Sequence, residues 1–393
     1  MSKLNTKYMY HNEWLSEYEE LTSRNYVTTD TPFMTIIDSG TILPCKESDQ
    51  KVWGIGGVVD CTGKYVDAST IGNAFGGLYP YLPNEVEYYD EIVIYIPIIP
   101  KHWGHFLIDC LCRFWFVLDK KYEKYRIAYC GYKWDDEGID GNYLGLLNLL
   151  GVNKEEMIQI RKPSRFKSIY IPSATFGYNI TNIEYTKIIN KIVENTMKSP
   201  EVKDFCSYEK IYFTRTRFAR SALREVGERE LENWFKENNF KIISPENMTV
   251  LEQIFYVHTC KEMGCLNGTL PHNAVFKGNT LRLIILNKTP IPNPPQFRID
   301  QLFNVESIYV DVYNRKFEKH PESCGGGPFL LETNDNLKRY FMDNNLDIIS
   351  YSRIQSMSLQ LKNSIRYEML ILRKRLKKIN LIRKAIRFMK GKV

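Results

Sequence analysis

The chain has 393 residues, 44% hydrophobic and 25% charged, with a formal net charge of +7. That balance describes a folded protein long enough for two domains and excludes a disordered or fibrous chain. The positive charge is local: Leu370 to Val393 carries ten basic residues and no acid, so the remainder is mildly acidic and does not read as a nucleic-acid-binding surface.

In the first half the pattern is mixed α/β. Apolar runs predict strands over Val52–Asp60, Glu91–Ile99, Arg126–Tyr132 and Ser168–Ser173, with helices over Trp103–Leu118 and Tyr143–Leu150 between them. The "GIGG" at Gly54 lacks the full G-x-G-x-x-G spacing and reads as a turn. From Tyr208 the alternation is cleaner. Strands are expected over Lys210–Arg215, Phe240–Glu246, Met263–Gly268 and Leu281–Asn287, with helices over Glu228–Asn239 and Thr249–Cys260. A β-α-β-α-β rhythm gives a parallel, Rossmann-like sheet, which binds ligands at the carboxyl ends of its strands. "SCGGGP" (Ser323–Pro328) reads as a hinge turn before C-terminal helices.

The run "HWGHFLIDCLCRFW" (His102–Trp115) sets four polar groups in core material. At 100° per residue His102, His105, Asp109 and Arg113 form one stripe on a buried helix, which suits a helix lining a cleft. His105, oriented by Asp109, is a candidate general base, and so is Asp109 itself. The competing reading is a structural His–Asp–Arg network that holds the domain together.

Two later loops carry anion-binding chemistry. After Lys210–Arg215 come Arg215, Arg217, Arg220 and Arg224, whose guanidinium forks match phosphate oxygens, unless they form a solvated basic loop. In "LNGTLPHNAVFKG" (Leu266–Gly278), Gly268 permits close backbone approach, and Thr269, His272 and Asn273 offer hydrogen-bonding groups beside a helix start. Alternatively Pro271 and Asn273 simply build a turn and cap.

Together these segments resemble glycosyltransferase family 61. The matching residues are Arg215, Arg220 or Arg224, Glu228 and Glu230 with Leu231, Glu252 with Gln253, then Gly268 and Asn273, while His105 and Asp109 match the family's His-x-Leu-x-Asp/Glu helix. The resemblance runs roughly from Lys101 to Asn287. Gly227 departs from the family's Asn, and Asn267 from the His of a His-Gly-Ala-Gly loop, with His272 taking over a polar role in a bacterial-type variant. It implies an α/β, GT-B-like fold with two Rossmann-like domains facing a cleft, and inverting transfer from a nucleotide sugar. The corresponding division is 1–205 on the acceptor side, 206–330 for the nucleotide sugar and 331–393 for C-terminal helices. Catalytic roles then fall to His105 and Asp109. Donor or phosphate contacts fall to Arg215, Arg220, Arg224, Glu252, Asn267, Gly268, Thr269, His272 and Asn273, and acceptor-side roles to His102 and Arg113. No Asp-x-Asp metal clamp is apparent at Asp311 or within Trp134–Asp140, so no metal or other cofactor is expected and the arginines would neutralise the leaving diphosphate.

In the tail Leu372, Leu376, Ile379, Ile382, Ile386 and Met389 recur every three or four residues among the bases. This is a basic amphipathic helix suited to an anionic membrane surface through 370–393, with nucleic-acid binding or subunit packing as alternatives. Nine cysteines without paired C-x-x-C spacing predict reduced thiols. No apolar signal-peptide core opens the chain, and its longest apolar run, Ile92–Pro100, is far shorter than the roughly 20 residues of a spanning helix. The expectation is a cytoplasmic enzyme, peripheral on the inner membrane face, which extends a capsular or cell-wall polysaccharide on a glycan or polyprenyl-linked acceptor. An oligomer is compatible with this, and nucleic acid is not an expected partner. The alternative is a non-catalytic nucleotide- or RNA-binding scaffold; a kinase is weaker still, because no G-x-x-x-x-G-K-[ST] loop is present.

Overall fold

The computed structural model describes residues 4–132, 138–177, 180–222 and 224–390. Most of the acidic Trp134–Asp140 stretch therefore lies outside the described residues. So do the side chains of Arg220 and of most tail residues from Lys377 onward.

Two sheets organise the chain. The first joins β1 (Met34–Asp38), β2 (Thr41–Lys46), β3 (Ile55–Val59), β4 (Glu87–Ile99), β5 (Arg126–Gly131), β6 (Met157–Ile160) and β7 (Ser164–Pro172) in the order β3-β2-β7-β4-β5-β6, with β1 also on β7. Only β7-β4-β5-β6 pair in parallel as a Rossmann-like sheet should; β1, β2 and β3 add an antiparallel edge. β4 shows why its sequence is a continuous apolar run. Val93, Tyr95 and Ile98 enter one core cluster while Ile94, Ile96 and Ile99 enter another, so both faces are covered.

The second sheet is wholly parallel. It consists of β8 (Lys210–Phe213), β9 (Lys241–Ile243), β10 (Glu262–Leu266), β11 (Arg282–Asn287) and β12 (Glu306–Asp311), in the order β9-β8-β10-β11-β12. Its strand order reverses between β8 and β10, where such sheets leave a crevice for ligands. The crossover helices lie on opposite faces. Glu228–Glu237 buries Leu231, Trp234 and Phe235 on one face, and Val250–Thr259 buries Val250, Ile254 and Val257 on the other. Each such side chain contributes about 1.5–3 kcal/mol by leaving water. The cluster under Val250–Thr259 also holds Ile94, Ile96 and Ile99 of β4, so one apolar layer is shared by both sheets.

Residues 4–26 pack on the second sheet. Tyr18 packs edge-on against Phe297 and Tyr309 at 5.6 and 5.4 Å, and the Tyr10 amide donates to Asp311 at 2.7 Å. Gly227, at φ +101°, precedes the Glu228–Glu237 helix where a Cβ would run into the Leu331 carbonyl oxygen. The departure from Asn there thus follows from crowding by the parallel pairing of Glu225–Val226 with Phe329–Leu330. A final helix, Arg353–Lys390, extends for about 57 Å. Among the described residues no helix is long and apolar enough to cross a membrane.

Candidate active site

The segment after β4 winds unevenly. Trp103–His105 is one α turn, Phe106–Cys110 a π turn and Leu111–Leu118 a 3-10 helix, so the uniform 100° stripe does not hold beyond Asp109. The i,i+4 pair survives: His105 Nδ1 lies 2.7 Å from Asp109 Oδ2. With Asp109 holding Nδ1–H, the other nitrogen, Nε2, keeps its lone pair. The His105 ring packs edge-on to Trp53 at 4.7 Å and lies 4.8 Å from the ring of His102. His102 keeps solvent access at the cleft mouth, yet surrounding protein atoms and the nearby His105, Arg215 and Arg224 push its pKa down to about 4. It therefore stays neutral near pH 7.

Arg113 lies elsewhere. It is buried and donates to the carbonyls of Pro172 at 2.6 Å and Thr70 at 3.2 Å, which ties the 3-10 helix to β7 and to the 68–70 turn. Its place is structural support, and Asp109 is held by His105.

Facing this segment, the end of β8 delivers Arg215. Its backbone N–H donates to Glu228 Oε1 at 2.8 Å, its guanidinium lies over Phe218, and its Nε is 3.7 Å from Glu225 Oε2. Glu225 is itself buried and bonded to Lys288, a lysine only 1% exposed. Burial alone would raise the Glu225 pKa, but Lys288 and Arg215 hold it below the usual carboxylate range. Glu228 is shifted the other way, upward, by burial and by the neighbouring Glu225 charge. Arg224 is fixed by a 2.9 Å bond to the Gly325 carbonyl. Arg217 is exposed.

The glycine loop follows β10. Asn267 is buried and donates to Asn287 at 2.8 Å; Asn287 donates in turn to Asp311 at 2.8 Å, and burial raises Asp311 to about 6. These three residues sit at the ends of adjacent strands and brace the loop. Gly268 takes φ +140°, with its carbonyl held by Asn293 at 2.8 Å. His272 is buried, bonded through Nδ1 to Gln296 at 2.9 Å, and pushed by burial down to about 4. The Gln296 amide nitrogen already donates to Asp300, so the Gln296 oxygen accepts from His272 Nδ1–H. Asn273 accepts from the Trp103 indole at 2.9 Å. Gly104 closes the approach: a Cβ there would come 3.1 Å from Thr269 Cγ2 and 3.3 Å from His272 Cδ2.

Glu252 lies outside this constellation. It forms a capping box with Thr249, accepting the Thr249 amide at 2.8 Å, and so builds the start of its helix. The adjacent Gln253 reaches the cleft, where it donates to the Pro245 carbonyl at 2.8 Å.

The result is a cleft of about 320 Å³ in which Arg215, Arg224 and Phe218 face His102, with Thr269 and Asn273 between them. His105 and Asp109 stand immediately behind His102. Larger cavities of about 640, 480 and 430 Å³ exist elsewhere, but none of the three has a histidine in its lining. Among the described residues no group of three or more His, Cys, Asp or Glu is placed to hold a metal ion. The arrangement suits transfer of a group from an anionic leaving group, because paired guanidiniums stabilise the departing charge and an oriented imidazole takes a proton. The buried partners Glu225, Lys288, Asn287 and Gln296 are not evident from motif spacing. Their one sequence signal is a charged or amide residue at the end of an apolar strand run, as in "LIILNK".

Residues 103–284 match the family model described as Glycosyltransferase 61; the match begins on the His105–Asp109 segment and ends within β11. No curated protein matches the chain. Over these residues, somewhat under half of the chain, the protein is thus similar to glycosyltransferase family 61, and the match supports a glycosyltransferase enzyme.

Proposed function

We propose that this glycosyltransferase is inverting and metal-independent, and moves a sugar from a nucleotide sugar to a glycan or polyprenyl-linked acceptor in bacterial capsular or cell-wall polysaccharide synthesis. On this reading residues 1–205 present the acceptor, 206–330 bind the donor in a GT-B-like arrangement, and 331–393 attach the enzyme peripherally to the cytoplasmic face of the membrane. The observation that carries it is the cleft with Arg215 and Arg224 facing His102, and the His105–Asp109 pair immediately behind His102. The parallel β7-β4-β5-β6 portion of the first sheet also fits a Rossmann-like acceptor half.

The chemistry follows from the placement. The acceptor hydroxyl gives its proton to His105 Nε2 while Asp109 stabilises the resulting imidazolium. The oxygen attacks the anomeric carbon from the face opposite the leaving group, so the new C–O bond inverts the configuration. The bond to the diphosphate breaks and its electron pair leaves with the nucleoside diphosphate, whose charge Arg215 and Arg224 receive. Glu225 and Glu228 hold Arg215 through its side chain and backbone, so that little reorganisation is needed. The non-catalytic scaffold is not favoured, because the matched domain is that of a transferase.

The test is to screen the purified full chain against a panel of nucleotide sugars by thermal shift and by nucleoside diphosphate release, with and without a chelator. One donor class should raise the melting temperature by mass action and turn over equally in chelator. A strict divalent-metal requirement would contradict the arginine clamp.

A further inference from the structure

The Arg353–Lys390 helix has two unlike faces. At about 100° per residue Asn363, Tyr367, Leu370 and Lys374 share one side, and that side is seated on the body. Tyr367 packs edge-on to Phe317 at 5.8 Å, and Lys374 bonds Glu322 at 2.5 Å and the Gly327 carbonyl at 2.8 Å. The opposite side is a continuous apolar stripe from Ile354 through Leu361, Ile365 and Leu372 to Ile379. These side chains are 81, 63, 53, 56 and 45% exposed. The stripe covers about 37 Å of helix length. Single exposed apolar residues are ordinary, but a contiguous stripe of this length marks a contact surface.

Charge and spacing select its occupant. Exposed Lys362, Arg373 and Arg375 flank the stripe, and the sequence from Lys377 onward adds seven more bases with no acid. A second copy laid alongside in parallel would bring two such runs together. Ile365, Leu372 and Ile379 lie at seven-residue steps, but from Ile354 and Leu361 such steps reach Glu368 and Arg375, so the spacing of a coiled-coil seam is not kept along the whole stripe. A straight stripe with basic flanks fits a flat, negatively charged apolar interface.

We propose that the Ile354–Ile379 stripe lies flat in the headgroup region of an anionic bilayer and holds the enzyme body on the helix's opposite face. The inference rests on the membrane attachment read for 370–393 and extends it upstream to Ile354. Membrane contact is thus made by a helix already docked to the catalytic body, rather than by the basic end alone.

The test is co-sedimentation of the full chain with phosphatidylcholine vesicles, with and without phosphatidylglycerol. The wild type should bind the anionic vesicles. A Leu361→Asp, Ile365→Asp double variant should bind them at least about tenfold more weakly, with unchanged melting temperature and solution mass. A Lys377→Glu, Lys378→Glu, Lys384→Glu variant reports separately on the basic end. If only the charge-reversal variant loses binding, the extended surface is overturned while tail attachment stands. If the wild type binds neither vesicle, both are overturned. Equal binding to neutral vesicles overturns the electrostatic selection. A wild-type dimer that the Asp double variant dissociates makes the stripe a protein interface and overturns the proposal.

Discussion

On the N-terminal side of the cleft, His102 in the wall and His105 behind it keep solvent access, and one hydrogen bond from His105 to Asp109 sets the geometry. On the C-terminal wall the groups behind Arg215 and the glycine loop are buried: Glu225, Glu228, Asn267, His272 and Lys288 are each 5% exposed or less. The first wall can exchange protons with an incoming hydroxyl. The second fixes the position of positive charge before the donor arrives, since buried polar groups hold only when fully paired. On the proposed mechanism, proton handling falls to one side and leaving-group stabilisation to the other.

Removing the imidazole should have the largest effect. His105→Ala is expected to lower kcat by about 10²–10⁴-fold, read in a transfer assay, with little change in melting temperature because the residue is half-exposed. On the other wall the same truncation logic costs stability. Lys288→Met leaves Glu225 buried without its cation and should lose about 3–5 kcal/mol in denaturant unfolding, part of which Glu225→Gln added to it restores. Full retention of stability in Lys288→Met would show that the wall is not held as described.

The pH dependence sharpens the same contrast. His272 is neutral in the fold, with its pKa depressed from 6.5 to about 4. Its contribution is therefore complete above pH 6.5 and is lost as pH falls through about 4. The whole of that limb is worth roughly 3 kcal/mol. His272→Gln should flatten the acid limb of a stability-versus-pH curve; an unchanged limb would place the titrating group elsewhere. Smallest is Gly104→Ala, whose Cβ would press on Thr269 at 3.1 Å. We expect a cost of about 1 kcal/mol and a higher donor KM, because the two walls meet there.

Four of the five strands of the parallel second sheet were legible because each carries its own period, and boundaries such as β11 at Arg282–Asn287 fall within a residue or two of the apolar run; the fifth, Glu306–Asp311, was not read. The antiparallel edge of β1 and β2 was not: Met34–Asp38 is half-exposed, so its apolar signal is weak. For the His102–Trp115 segment the sequence supplied the i,i+4 pair but not the π and 3-10 winding that follows, because a helical wheel assumes one uniform twist. Arg113 looked like part of a polar stripe, yet its partners are carbonyls from distant segments, which no local spacing encodes. Glu252 was misleading for the opposite reason. Thr249-x-x-Glu252 is a local capping signal that fully accounts for its carboxylate. Glu225 and Lys288, 63 positions apart, meet only once the second sheet has formed.

The division of labour is tested most directly by measuring donor affinity and kcat separately in Arg215→Ala and His105→Ala. Arg215→Ala should weaken binding of the nucleotide sugar and of the nucleoside diphosphate product, and Arg215→Lys should not restore it, since a single ammonium cannot reproduce the guanidinium fork. His105→Ala should bind both as the wild type does and lose only the transfer step. Undiminished donor affinity in Arg215→Ala, or full transfer in His105→Ala, would contradict the account.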